Sequence, residues 1–409
     1  MLRFLSAVFL CWTAVPSRAQ APDLTLPAVL EAARRDAPSV RAAAMHRDAE
    51  RALVKSEATP EKPMLELERM RAPIGGSPLA GPERTWSVSQ QLPFPTALFY
   101  RGRAASFEAD AAAALHRRAV VEASARAREA YADLYEAERS LIFLDEIVDL
   151  LRRFSRVAEA KYAAGKGTQT DALKAQLELT RMLNEKALAS AAVAGARAAL
   201  NAAMGREEDA PLPALAPPAS APPSASWTEL RALALAENPG LAAAAGEAGK
   251  ARAELGMKRS EWLPDVTLRY RRRAENGMRS HDASLGLSLP VWFWKQAGTA
   301  SHAGYEARYA EALRDGEKLD LLAALRGAHA SVLTESRLRE AYRTTVIPQA
   351  ESALRSAEAA YQSDRAGFLD LLDAGRSLIT ARLESVRHDA DLERALAALS
   401  RAVGRETVP

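Results

Sequence analysis

Two carboxylates, Asp370 and Asp373, are the side chains of this sequence that are best placed to act on an ion. They lie three residues apart and follow Gly367, where a long helical pattern is interrupted, so a helix starting there would carry both on one face. Neighbouring carboxylates attract cations. Acidic residues are also favoured in the first turn of any helix by the helix dipole, and the spacing alone leaves both interpretations open.

Other residue types that support catalysis or metal binding show no useful pattern. The six histidines include no pair at ligand spacing, and the eight methionines form no cluster. The sequence has no glycine-rich phosphate loop and no Ser/His/Asp arrangement. Its net charge of +3 lacks the basic stripe that nucleic-acid binding requires. We therefore expect no enzyme, no cofactor, no metal site and no nucleic-acid partner. The histidines are His46, His116, His281, His302, His329 and His388.

The N-terminus has the pattern of a secretory signal peptide. Arg3 supplies a positive start, an apolar run extends from Phe4 to Val15, and small residues suit cleavage after Ala19. We therefore expect residues 1–19 to be removed on export. Cys11 follows a leucine that is too large for a lipoprotein cleavage site, so we expect no lipid anchor. The mature chain would then contain no cysteine, which excludes disulfides and thiol metal sites.

The rest of the sequence repeats itself with a shift of 197 to 201 residues. A period of this size predicts two homologous halves, residues 20–204 and 227–409, rather than a solenoid. Six prolines between residues 205 and 226 predict an extended, plain linker between them. Matching positions include Pro38 with Pro239, Tyr162 with Tyr361, and Asp171 with Asp370.

Each half is predicted to begin with a helix and to end with a very long helical hairpin, at 96–204 and 295–403. Helix-forming residues and a heptad seam predict a first helix from 96 to 164, about 100 Å long at 1.5 Å per residue. Breaks are expected at 164–168 and 363–367. Pro348 predicts a kink that only the second half has.

Between these helices, alternating apolar and polar residues predict β-hairpins at 62–92 and 263–290. Aromatic residues follow each hairpin, as in the girdles of membrane proteins at the lipid–water interface. Two soluble hairpins on a helical bundle would show the same alternation, so this alternative stays open. Four strands cannot close a membrane barrel, whereas a trimer would supply twelve. The aromatic residues are Phe94, Trp292, Phe293 and Trp294.

Four segments resemble the TolC family of outer membrane factors, the bacterial exit ducts of tripartite efflux pumps. They are Ser89 to Pro95, Leu285 to Pro290, Ala164 to Asp171, and Tyr361 to Asp373. The resemblance covers the mature chain and is greatest to the branch that serves heavy-metal cation exporters of the resistance-nodulation-division (RND) class. Ser363-Asp364 departs from the family pattern of an apolar residue and glycine, so we expect a differently shaped second turn.

The resemblance implies a mainly α-helical fold with a small β part. A homotrimer would form a long coiled-coil α-barrel through the periplasm, and four strands from each chain would form a twelve-stranded β-barrel in outer-membrane lipid. A periplasmic adaptor would link it to an inner-membrane RND transporter. Drug efflux, type I protein secretion and a soluble periplasmic coiled-coil scaffold are the alternatives, which neighbouring genes and cell fractionation would distinguish.

The resemblance also assigns roles to the two helix breaks. The turns would contact the adaptor, and two of their glycines, Gly165 and Gly167, would supply left-handed backbone where the helix reverses. The pore would be narrowest beside them, where acidic rings favour cations. The adaptor-contact residues would be Gly165, Lys166, Gly167 and Gly367, and the gate residues would be Asp370, Asp373, Tyr361, Arg365, Asp171 and Thr170. Tyr361 and Arg365 would hold the closed tip against Asp171 and Thr170.

Overall fold

The computed structural model describes residues 23–71, 74–77, 81–275, 278–363 and 365–406. The predicted signal peptide lies outside the described residues, as does Asp364 of the second helix break. The described chain is mainly helical and contains one small sheet, as predicted.

Both halves have the same order of elements, and a proline divides the opening helix of each half in two. Pro38 and Pro239 occupy the first position of the second helix, where a missing N–H is tolerated, and both disfavour helical backbone in the preceding residue. The first half comprises α1 (Leu26–Asp36), α2 (Pro38–Glu57), β1 (Met64–Met70), β2 (Glu83–Leu92), α3 (Pro95–Ala163) and α4 (Gln169–Ala203). The second comprises α5 (Trp227–Glu237), α6 (Pro239–Ser260), β3 (Asp265–Glu275), β4 (Met278–Ser288), α7 (Phe293–Ala341), α8 (Ile347–Gln362) and α9 (Phe368–Val403).

Helix α3 is continuous over 69 residues, and its limits agree with the prediction to within one residue. It packs against helices of both halves through small side chains. At Gly246 of α6, for example, an added Cβ would stand 2.9 Å from the Cβ of Ala111, so the two helices can approach only because both residues are small. No helix in the described part of the chain combines the length and the apolar character needed to cross a membrane.

The long helix of the second half is interrupted close to the predicted site. A π-helical turn, Tyr342–Val346, separates α7 from α8, and Pro348 follows in the first turn of α8. Proline cannot donate a helical hydrogen bond and its ring crowds the preceding turn, so a wider turn at this point relieves both problems. The first half has an unbroken helix at the equivalent place.

The two predicted hairpins form one sheet. The antiparallel strand order is β1-β2-β3-β4, and the central pair β2–β3 joins the two halves, with Val88 opposite Tyr270. The two hairpins therefore lie side by side rather than apart on the helices. Strands β1 and β4 each have one edge without a partner among the described residues.

The linker at 205–226 is extended, as predicted, but it is not a plain linker, because it is fixed to the helices. Leu24 pairs with it through two backbone hydrogen bonds, to Ala214 at 2.7 Å and from Ala216 at 3.0 Å. The hydroxyl of buried Tyr131, in α3, donates toward the carbonyl oxygens of Leu24, at 3.0 Å, and Ala216. Burial, followed by the charge of Glu393, raises the pKa of Tyr131 to about 12, so this hydroxyl keeps its proton.

We expect Tyr131→Phe to loosen the linker and to lower the free energy of unfolding by about 1–3 kcal/mol, because the carbonyl oxygen of Ala216 loses its donor and that of Leu24 keeps only the amide of Ala216. Thermal unfolding and limited proteolysis within 205–226 measure the effect. Tyr135→Phe is the control, since Tyr135 is half-buried one turn later and its hydroxyl makes no hydrogen bond to a described residue. Equal cleavage of the two variants would contradict this role of Tyr131.

Candidate functional site

The first helix break closes as a Schellman turn. Gly165 has a φ of 72°, in the left-handed region that favours glycine. The amide of Lys166 donates to the carbonyl oxygen of Lys161 at 2.8 Å, and that of Gly165 to Tyr162 at 2.9 Å. The turn leaves Lys166 exposed at the far end of the helices.

The second helix break closes with the same hydrogen bond. The amide of Arg365 donates to the carbonyl oxygen of Ala360 at 2.8 Å. Ser363 supports the turn with its side chain, which donates to Ala359 and accepts from Nε of Arg365, both at 2.9 Å. The closing hydrogen bond is thus the same in both turns, and the predicted difference in shape at Asp364 lies outside the described residues.

The other two tip glycines have different roles from Gly165, and the prediction of left-handed backbone at Gly167 is wrong. Gly167 allows close packing, since an added Cβ would stand 3.1 Å from the Cβ of Lys161. Gly367 has extended backbone, with φ −77° and ψ 163°, and precedes the first residue of α9.

The acidic residues at the two breaks begin helices. Asp171 and Thr168 exchange hydrogen bonds of 3.2 and 3.4 Å between side chains and backbone amides at the start of α4. Asp370 accepts the amide hydrogen of Gly367 at 3.0 Å at the start of α9. Asp370 therefore stabilises the first turn of α9. This agrees with the interpretation of Asp370 as an acidic residue favoured at a helix start. Asp373 is exposed one turn later and lies near Arg376.

Tyr361 lies between the two breaks of the same chain. It is only 7% exposed, and its ring centroid is 5.9 Å from that of Phe368. Nζ of Lys161 stands 4.0 Å above the Tyr361 ring and donates to its carbonyl oxygen at 2.6 Å. No hydrogen bond or ion pair joins Arg365 to Asp171 or Thr170 within the described chain. The gate roles of these residues in an assembled tip stay predictions.

An ion pair that the sequence did not reveal joins the two halves two turns above the tip. Nε of Arg376 in α9 donates to Oε1 of Glu178 in α4 at 2.9 Å, and Nη2 of Arg376 donates to Oε2 of Glu178. Glu178 is buried, and the hydrogen bonds from Arg376 lower the pKa of its carboxyl group, so it stays charged. The pair therefore holds the two helical hairpins of one chain together near the candidate gate.

The four-stranded sheet has the polarity opposite to that of a sheet in a water-soluble protein. Residues that pair across the strands share a face, and one face exposes large apolar side chains, with Leu65 at 66% and Leu285 at 65%. The other face buries the polar side chains of Thr85 and Ser87. We call these the apolar face, with Leu65, Leu67, Trp86, Val88, Leu268, Tyr270, Leu285 and Leu287, and the polar face, with Glu66, Thr85, Ser87, Arg271, Asp282 and Ser284.

The predicted aromatic residues lie where the sheet meets the helices. Trp292, Phe293 and Trp294 are exposed and pack edge to face, with centroid distances of 5.3 and 5.1 Å to Trp294. Phe94 is half-buried, and its amide donates to Asp265 at 3.2 Å. The three exposed rings of the second half thus form one aromatic group beside the apolar face.

One histidine lies in a cluster of ligand types that sequence spacing could not reveal. The side chains of Glu335, His388 and Asp391 lie within 4.8 Å of one another. All three side chains already have partners within the chain, because His388 contacts Glu335 at 2.8 Å and Asp391 pairs with Arg394 at 2.6 Å. A guanidinium group beside the carboxylates opposes a second cation, so we assign this cluster a structural role.

Comparisons with known proteins identify the family and the fold of this chain. The family model for outer membrane efflux protein matches residues 29–206 and 230–405. The cobalt-zinc-cadmium resistance protein CzcC of Cupriavidus metallidurans is 27% identical over 264 residues, or 63% of this chain, and the chain spans 62% of the length of this curated relative.

Solved structures of other proteins share the fold. VceC of Vibrio cholerae superposes with a TM-score of 0.77 at 19% identity, covering 93% of this chain and 96% of VceC. CusC, which is described as forming a transmembrane channel, gives 0.80 at 15% identity, covering 95% and 94%. Because the family model matches most of both halves, the chain belongs to the outer membrane efflux protein family.

Proposed function

We propose that the protein is the outer-membrane channel of a tripartite efflux system and works as a homotrimer. The observation that carries this proposal is the apolar face of the sheet. Large apolar side chains on an exposed face are unfavourable in water and favourable in lipid. Lipid cannot satisfy the open edges of β1 and β4, but the sheets of two neighbouring subunits would, which gives a closed barrel of twelve strands.

In this proposal the long helices extend from the outer membrane through the periplasm, and the two helix breaks form the inner tip. Lys166 and the backbone of its turn are exposed at that end, where a periplasmic adaptor would bind and connect the duct to an inner-membrane transporter of the RND class. The acids Asp370 and Asp373 would form rings around the trimer axis at the tip.

We propose divalent heavy-metal cations as the substrate. The name of the CzcC relative and the acidic tip residues support this choice. Drug efflux and protein secretion are the alternatives within the same family. The duct itself would accept cations without selecting among them, so a neighbouring gene for a metal transporter, or for a drug or protein transporter, is the observation that separates these substrates.

Leu285→Arg tests the membrane position of the sheet. A charge on the lipid side near the midplane should cost about 2–4 kcal/mol and reduce the yield of detergent-resistant trimer in outer-membrane fractions. Ser284→Arg is the matched control, because it introduces the same charge one residue away on the polar face. A soluble periplasmic scaffold would tolerate both changes equally, since both positions are exposed in the single chain.

Lys166→Glu tests the adaptor contact. We expect weaker crosslinking to the adaptor and an unchanged trimer, because Lys166 is exposed and its hydrogen bond in the turn uses only its backbone amide. Lys55→Glu, at the sheet end of α2, reverses the same charge far from the tip and should leave crosslinking unaltered. Unchanged crosslinking of Lys166→Glu would count against docking at this turn.

Replacing both Asp370 and Asp373 with asparagine tests the gate. Asparagine can still accept the amide hydrogen of Gly367, so α9 keeps its start while six charges leave a trimer. We expect lower preference for cations over anions in planar bilayers, and loss of block by a trivalent cation added from the tip side. The control, Asp145→Asn with Asp149→Asn, removes two exposed acids from α3. If the tip variant keeps the cation selectivity of the wild type, Asp370 and Asp373 act only at the helix start and do not form a gate.

A further inference from the structure

Basic side chains gather at one end of the apolar face, a feature that channel formation does not explain. In the register, Arg69 pairs with Arg84, and Trp86 pairs with Arg272, so the cations continue the rows of apolar residues. They occupy the two rows nearest the connections within the hairpins, at the end of the sheet opposite to the long helices. This basic cluster consists of Arg69, Arg84, Arg272, Arg279 and His281.

Charge is segregated between the two faces. Among all positions of the four strands, the apolar face carries these four arginines and one histidine, and no carboxylate. The polar face carries both signs, with the acids Glu66, Glu68, Glu83, Asp265, Glu275 and Asp282 and the arginines Arg269, Arg271 and Arg273. An anion to balance the basic cluster is therefore absent from its own face of the sheet.

The cations of the cluster have little engagement within the described chain. Arg69 donates to the carbonyl oxygen of Gly81 at 3.1 Å. Arg84, Arg272 and Arg279 are exposed and form no ion pair with any described carboxylate. By contrast, Arg71, just beyond β1, pairs with Glu83 of the polar face at 2.7 Å. Three guanidinium groups are thus available to an external anion.

We propose that the basic cluster binds the phosphate groups of a phosphorylated glycolipid, of the lipid A type, in the outer leaflet. The inference rests on the proposed function, which puts the sheet in the outer membrane with the helices on the periplasmic side and the cluster therefore at the outer surface. Guanidinium groups bind phosphate oxygens in a forked geometry. Acyl chains of the same molecule would lie on the neighbouring apolar rows, which a free phosphate ion would leave uncovered.

The test compares two sets of variants of the purified full-length trimer. One set carries Arg84→Gln, Arg272→Gln and Arg279→Gln, and its matched control carries Arg269→Gln, Arg271→Gln and Arg273→Gln, which removes as many charges from the polar face of the same sheet. Native mass spectrometry measures the binding of bisphosphorylated lipid A, of the same lipid without phosphates, and of lipid A in the presence of inorganic phosphate.

We expect the apolar-face set to bind bisphosphorylated lipid A about a hundredfold more weakly, from the contribution of three surface arginines, and the polar-face set to bind as the wild type does. Removing the phosphates from the lipid should weaken binding to the wild type by the same factor as removing the three arginines weakens binding of lipid A. Wild-type affinity in the apolar-face set, or equal loss in both sets, overturns the proposal. Displacement of lipid A by an equal concentration of inorganic phosphate would show a free-anion site and also overturn it.

Single-channel recording in bilayers without lipid A separates this inference from the proposed function. If every variant forms channels and lipid A binding is unchanged, the proposed role of the basic cluster is refuted and the proposed function is not. Absence of channels from the wild-type trimer refutes the proposed function. If the triple variant does not assemble, Arg84→Gln against Arg271→Gln gives the same comparison with one charge on each face, and equal lipid A binding by these two overturns the proposal.

Discussion

The architecture depends on one constraint, the continuity of helix α3. It begins directly after strand β2 and ends at the first turn of the tip, so a single rigid element joins the sheet to the candidate gate. Its continuity comes from strong helix formers and the absence of internal proline. Helices of both halves pack on α3 through small residues. The position of the second half is therefore fixed along the axis of α3, as is that of the first half.

Duplication gives the chain two similar halves, which the structure uses differently. The halves meet in the middle of the sheet through β2 and β3, and near the tip through Glu178 and Arg376. Among the described residues the second half alone contains a π-helical turn, Tyr342–Val346, and its aromatic group is more exposed than Phe94 of the first half. The first half thus provides the continuous support, while the second half carries the irregular features of the helices.

Local signals in the sequence were sufficient for element types, for the continuity of α3 and for the left-handed turn at Gly165. They do not distinguish a glycine needed for its backbone from one needed for space, and the left-handed backbone that they predict at Gly167 is therefore wrong. The pair Glu178–Arg376 and the anchoring of the linker by Tyr131 join residues far apart in the chain, and no local pattern encodes them. The proposed gate would depend on contacts between subunits, which lie beyond the pattern of one chain.

The central pairing of the sheet also determines the order in which the protein can fold. Val88 and Tyr270 are 182 residues apart, whereas the helical hairpins close between neighbouring segments. Pairings of high sequence separation form slowly because a long loop must be closed first. The helical hairpin of each half can therefore close before the two halves meet, and until β3 reaches β2 the apolar strands have exposed edges in water. A chain of this design needs protection from aggregation during that interval.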